Sequence, residues 1–337
     1  MKALLQLPWV ELAIAPTPLR AAPQLSEAVG MEIWFKRDDL TGFGLGGNKV
    51  RALEYLLGEA MRRSCDCLIT GAGPTSNWAM LATLAARRCG LDVYLICYGH
   101  PVTPVGNLAL ARLAGARITF TGDPDRVSVE AASAALGEEL SRSGRKPWVV
   151  PRGGATALGA CGYVRASLEL AEQLLAVNVE PQQLWLATGS GGTQGGLLAA
   201  ARWLRSPYQV VGVSVSRPAT ECIQRVSDLA AQVQTMLSLP PDNDTNGSAS
   251  PVIVLGGFLG PGYGIPSTSG NEATRLVART EGVFLDPVFG AKAMAALLSV
   301  CAGSGCDFAG LRNTTGPIVF LVTGGVPTLF TTAGGAV

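Results

Sequence analysis

A chain of 337 residues, 48% hydrophobic and only 15% charged, can fill one large or two medium cores, and its sparse surface charge leaves room for a second copy to cover part of it. The 26 basic and 25 acidic side chains leave a formal net charge of +1, with no basic run to follow a phosphate backbone, which excludes nucleic acid as the expected partner. No apolar run approaches the roughly 18 residues of a membrane span. Met1 to Ala15 carries Pro8 and Glu11 and no small-residue cleavage pattern, and the eight cysteines share the chain with one histidine, His100. Those features read as a cytoplasmic protein with reduced thiols and no zinc site.

Taken in order, Pro16-Thr-Pro-Leu19 is extended by proline restriction and a short helix covers Pro23 to Val29. Met31 to Phe35 reads as a strand ending in Lys36-Arg37-Asp38-Asp39, either a solvated strand end or a buried ion-pair network near a site. A helix follows from Lys49, then strand Cys67–Thr70, helix Asn77–Cys89, strand Val93–Tyr98, helix Asn107–Leu113 and strand Ile118–Phe120. Helix Ala131–Leu140 and strand Trp148–Pro151 close a first α/β unit. The alternation resumes with helix Gly159–Leu175, strand Leu184–Ala187, helix Thr193–Trp203, strand Val210–Ser216 and helix Cys222–Met236. Ser238 to Ser250, with Pro240-Pro241-Asp242 at its start, reads as a surface loop. Strand Val252–Leu255, helix Glu272–Arg279, strand Val283–Leu285, helix Lys292–Val300 and strand Ile318–Val322 complete the pattern. Short apolar strands between helices predict mostly parallel sheets covered on both faces.

The chemistry sits in the turns. In Gly46-Gly47-Asn48-Lys49 the paired glycines let the chain bend tightly before a helix, so the lysine can turn inward as a nucleophile rather than outward into water. Thr188-Gly-Ser-Gly-Gly-Thr-Gln-Gly-Gly196 joins an apolar strand to a helix, which places Gly189, Ser190, Gly191, Gly192 and Thr193 at the positive end of that helix with unpaired N–H groups. No Gly-Lys-Ser/Thr follows and the acidic ribose partner of a dinucleotide fold is missing, so a single monoester phosphate is the expected ligand. Gly71-Ala-Gly-Pro-Thr-Ser-Asn77 is a second such turn, where Ser76 and Asn77 could cap the helix or bind a carboxylate or a cofactor oxygen. Thr323-Gly-Gly325 is a third, its hydroxyl at the carboxyl end of a strand. A lysine, a mono-phosphate cradle and converging turns point to pyridoxal 5'-phosphate held as a Schiff base.

These pieces, together with Lys36-Arg-Asp-Asp-Leu-Thr-Gly42, Gly262-Tyr-Gly-Ile-Pro266 and Leu285-Asp-Pro-Val288, resemble over nearly the whole chain the family of 1-aminocyclopropane-1-carboxylate deaminases and D-cysteine desulfhydrases. The resemblance implies the type II pyridoxal-phosphate fold, α/β with two three-layer α/β/α domains and mostly parallel twisted sheets. It sets a large cofactor domain, residues 1–52 plus 164–337, around a small inserted domain, 53–163, in a homodimer. It makes Lys49 the Schiff-base lysine, Gly189 to Thr193 the phosphate loop, Asn77 a partner of the cofactor's phenolic oxygen and Ser76 a substrate contact or proton relay. Tyr263 matches one of two active-site tyrosines, and Gln194 and Phe289 join Ser76 and Asn77 around a small amino-acid substrate, with Trp78 either narrowing that pocket or packing on its helix. Two departures bear on the reaction: Phe289 stands where the second tyrosine is usual, and Gly290 where the deaminases carry a glutamate. Thr323 is then left as a neutral partner of the pyridine nitrogen, which favours α,β-elimination to a keto acid and ammonia over cyclopropane opening. The alternatives are a β- or γ-replacement synthase on the same fold and, in another class, a non-catalytic ligand-binding protein.

Overall fold

The computed structural model describes residues 1–73, 75–240, 251–303, 311 and 313–330. In chain order its elements are α1 (Lys2–Gln6), β1 (Leu19–Ala21), α2 (Pro23–Val29), β2 (Ile33–Arg37), α3 (Lys49–Arg62), β3 (Cys67–Ala72), α4 (Asn77–Arg88), β4 (Asp92–Cys97), α5 (Gly106–Leu113), β5 (Arg117–Phe120) and α6 (Ser128–Arg142). There follow β6 (Pro147–Val150), α7 (Ala157–Val177), β7 (Gln183–Thr188), α8 (Gly192–Leu204), β8 (Gln209–Ser214), α9 (Ala219–Met236), β9 (Ile253–Leu255), α10 (Thr268–Glu281), α11 (Gly290–Cys301) and β10 (Ile318–Val322).

The strands form two sheets, one in the order β1-β2-β10-β7-β8-β9 and the other β5-β4-β3-β6. Every pairing is parallel except β1 with β2. Alternation along the strands explains the layers, because successive side chains leave a strand on opposite faces. Trp185 of β7 and Phe320 of β10 pack on one face with Val277 of α10 and Met294 of α11. Their neighbours Leu184, Leu186, Val319 and Leu321 pack on the other with Tyr163 and Leu170 of α7 and Leu197 of α8. In the smaller sheet Leu68 and Leu95 meet α3 and α4 residues such as Leu57 and Met80, while Ile69 and Ile96 meet Val129 of α6. Each such buried side chain stabilises the fold by about 1.5–3 kcal/mol relative to exposure.

The α/β class and the parallel sheets agree with the sequence expectation, and most element ends shift by one to three residues. Val283–Leu285 is a correction: the segment lies between α10 and α11 without joining a sheet. Val283 and Leu285 are nonetheless buried in the core, so their apolar alternation reported burial and not pairing. The helix α1 was not foreseen; it buries Leu4. Of the expected surface loop Ser238–Ser250, residues 241–250 lie outside the described residues. No helix among the described residues is long and apolar enough to cross a membrane.

Candidate active site

One cavity gathers the carboxyl ends of strands from both sheets. The turns after β3, β7 and β10 supply Ser76 and Asn77, Gly189 to Gly191 with Thr193, and Thr323, and the start of α3 supplies Lys49. Gly46 makes that start possible: its φ is 72°, and a β-carbon there would run into the Asp39 carbonyl. The turn is fastened by Gly47 N–H donating to Asp38 O at 3.0 Å and by Asn48 N–H donating to Thr323 O at 3.0 Å. Asn48 Nδ2 reaches Thr193 Oγ1 at 3.0 Å, tying α3 to α8.

Lys49 then enters the cavity with a single hydrogen-bond partner among the described residues, Ser190 Oγ at 3.5 Å. No carboxylate among them stands against it, and loss of solvation pulls its amine from 10.5 down to about 8. Facing it, α8 begins after Gly191, whose φ of 91° only glycine adopts freely, and no side chain caps the helix. Its first N–H groups are therefore free to hold an anion. Ser76 precedes α4 without making a capping bond, so its hydroxyl, expected either as a cap or as a contact, is left to the cavity it lines. Thr323 is buried and lines the same space.

In the wall of the same cavity the rings of Tyr263 and Phe289 meet edge to face, with centroids 6.0 Å apart at 66°. Burial raises the Tyr263 hydroxyl above its ordinary range, so it keeps its proton. Two buried groups that sequence reasoning missed support this wall. Lys292, fully buried on α11, donates to the carbonyls of Leu259 at 2.7 Å and Gly262 at 3.0 Å, directly before Tyr263. Burial lowers its amine to about 8 against the pull of Asp286. Asp286 gathers the N–H groups of Val288, Phe289 and Gly290 at 3.0, 2.8 and 2.8 Å, and burial still pushes it up to about 6. A β-carbon on Gly290 would come within 3.2 Å of Asp286 Oδ1, so this turn is built tightly around a glycine. Arg126, also unforeseen, donates to Ser216 O at 3.0 Å and lies 5.7 Å from the centre of the Tyr263 ring.

Gln194 and Trp78, both expected at the substrate, line the same cavity, and each is also engaged within the fold. Gln194 is buried, with Oε1 accepting from Thr188 Oγ1 at 2.6 Å and Nε2 donating to Ile253 O at 2.8 Å, which fixes the orientation of its amide. Trp78 is 2% exposed and its Nε1 donates to Thr70 Oγ1 at 2.9 Å. Its indole packs in the core of the smaller sheet. The charged run Lys36 to Asp39 is a buried network and not a solvated strand end. Arg51 binds Asp38 and Glu169, Thr17 Oγ1 and Tyr163 OH also bind Asp38, and Lys36 pairs with Glu169.

With the geometry in place, the family model of the pyridoxal-phosphate dependent enzymes matches residues 10–324. The chain belongs to that family. It is 36% identical to the D-cysteine desulfhydrase of Salmonella paratyphi C (strain RKS4594), over 97% of this chain and 97% of that one. Among solved structures it superposes on an ACC deaminase homologue with a TM-score of 0.87, at 33% identity, covering 97% and 95% of the two chains. Serine racemase from Dictyostelium discoideum shares the fold at a TM-score of 0.63 and 17% identity, over 92% of each chain.

As a member of this family the protein is a pyridoxal phosphate enzyme, and its cavity fits the group. The uncapped α8 suits one phosphate monoester. A desolvated lysine without an acidic partner is the form of amine that condenses with an aldehyde. Thr323 offers a neutral hydroxyl in the same cavity.

Proposed function

We propose that the protein catalyses α,β-elimination on a small amino acid carrying a β leaving group such as a thiol, releasing a keto acid and ammonia. The reading is supported by the names of the relatives, D-cysteine desulfhydrases, and by one structural observation above others. Lys49 enters, without a carboxylate partner among the described residues, a cavity also lined by the protonated phenol of Tyr263 and by the hydroxyl-free Phe289 beside it.

In this reading the bound pyridoxal phosphate supplies an electron sink for the pair left when the α-proton departs. Gly189 to Thr193 at the α8 N-terminus, Ser190 included, would hold its phosphate, and Thr323 would serve its ring nitrogen as a neutral partner. Ser76 and the start of α4 receive the substrate carboxylate. Lys49 Nζ takes the α-proton, which an amine near 8 accepts at neutral pH. Tyr263 OH donates to the departing sulfur, and the paired rings of Tyr263 and Phe289 exclude water from that side. Water then completes the balance, so that cysteine and water give pyruvate, hydrogen sulfide and ammonia.

The residue division 1–52 plus 164–337 against 53–163 is retained as the domain proposal. Both boundaries fall inside helices, α3 and α7, so those helices would form the junction. A homodimer in the cytoplasm is proposed with it, supported by the low charge content and by exposed apolar side chains such as Leu113 and Phe330.

The test is to offer the cofactor-loaded enzyme D- and L-cysteine, cysteate, β-chloroalanine and 1-aminocyclopropane-1-carboxylate, with and without an added thiol. Pyruvate in step with the released β-group supports elimination. A substituted amino acid replacing pyruvate when thiol is added would instead mark a replacement synthase, and 2-oxobutyrate from the cyclopropane substrate a deaminase.

A further inference from the structure

We infer that Asn107, which lies behind the cavity and not in its wall, is a positioning residue that decides which end of the Asn77 amide faces the bound cofactor. The inference rests on the proposed assignment of Asn77 to the cofactor's phenolic oxygen. Asn107 is 2% exposed at the start of α5. Its Nδ2 donates to the Thr75 carbonyl at 3.0 Å and to Asn77 Oδ1 at 2.7 Å.

The two ends of an asparagine amide are nearly the same shape, so only their partners tell them apart. A backbone carbonyl can only accept. Thr75 O therefore turns the NH2 of Asn107 toward itself, and the second proton of that same NH2 meets Asn77, which must answer with its oxygen. Asn77 Nδ2 is left pointing at the turn after β10, where Gly325 has no side chain; a β-carbon there would fall on that nitrogen. Reversing Asn107 would set its oxygen against the Thr75 carbonyl. In the observed orientation Asn107 Oδ1 is buried without a partner among the described residues. An atom left unsatisfied at one end of a fully buried amide shows that the site is shaped around the donating end. The result is a relay of fixed polarity, carbonyl to amide to amide, that presents a donor to the cavity. A donor at a phenolic oxygen favours its ionised form and lowers the pH at which the bound chromophore loses its proton.

Asn107→Asp, at a pH where the new carboxyl is ionised, replaces the donor by a group that only accepts, so Asn77 turns to donate to it and shows its oxygen to the cofactor. The pH midpoint of the visible absorption band of the bound cofactor is then expected to rise by about one pH unit, with about tenfold weaker cofactor binding. Melting of the cofactor-free protein serves as the control for folding. Asn107→Ala is expected to move both readouts the same way by less. The inference is overturned if Asn107→Asp and Asn107→Ala keep the wild-type midpoint and affinity while Asn77→Ala shifts both. If Asn77→Ala shifts neither, the assignment of Asn77 itself is wrong and the inference falls with it. Should Asn107→Asp fail to fold, the midpoints of Asn107→Ala and Asn107→Ser decide by the same criterion.

Discussion

Lys49 and Arg51 stand two residues apart at the start of α3, and their surroundings treat charge in opposite ways. Around Arg51 every charge is answered. Burial opposes its charge, but Asp38 and Glu169 more than compensate and raise its proton affinity further. Burial would likewise raise the Asp38 and Glu169 carboxyls, yet Arg51 and Lys36 hold both below the ordinary carboxylate range. Around Lys49 no described charge answers, and burial alone brings the amine to about 8. Lys36 and Lys292 are more deeply buried, but Lys36 donates to Thr17 O at 2.8 Å and Gln173 Oε1 at 2.6 Å besides Glu169, and Lys292 to two carbonyls. The paired groups fasten the two ends of the fold. The unpaired one is available for chemistry.

The largest way to break the comparison is Lys49→Ala. Turnover is expected to fall by about 10³-fold or more, while circular dichroism and the melting of the cofactor-free protein stay close to wild type. Arg51→Met should do the reverse, removing the ion-pair partner of the fully buried Asp38 and one of the two cations on Glu169. A loss of about 3 kcal/mol in stability is expected in denaturant titration, and a variant as stable as wild type would dissolve the distinction. Next come Tyr263 and the lysine that supports it. Tyr263→Phe should lower kcat/KM by about 10²-fold, and Lys292→Met, acting through the carbonyls that hold Tyr263, by about tenfold. In a double variant the Lys292 effect should largely vanish.

The smallest effects lie in pH. Asp38 and Glu169 have lowered folded-state values, so their contribution is present above the ordinary carboxylate range and is lost as pH falls through and below it. Urea midpoints between pH 7 and 3 should show that loss, and Asp38→Asn should flatten it. At Lys49 the neutral amine is the reactive form, so the rate of cofactor capture by the cofactor-free protein should rise with pH and level off above about 8. A rise that continues toward 10 would place the reacting amine in water.

What the sequence made legible follows from local chemistry. Strand-to-helix turns carry their ligand groups within a few residues, which is why Lys49, Ser76, Asn77, the Gly189–Thr193 loop and Thr323 could be named and are all found around one cavity. Contacts closed over long distances left no such signal. Asn107 lies 30 residues from Asn77, and Arg126 lies 90 residues from the Ser216 carbonyl it reaches. Lys292 looked like any lysine at a helix start until the carbonyls of Leu259 and Gly262 closed on it. Gln194 could be placed beside the phosphate loop from its sequence position, but its bond to the β9 carbonyl of Ile253, 59 residues away, could not.

The central claim is that of Lys36, Lys49 and Lys292 only Lys49 is left free to react. Reduction of the cofactor-loaded enzyme with borohydride, followed by proteolysis and mass spectrometry, tests it directly. One pyridoxyl adduct on the peptide carrying Lys49 is expected, with none on Lys36 or Lys292; an adduct on either of those, or a loaded enzyme with Lys49 unmodified, would contradict it.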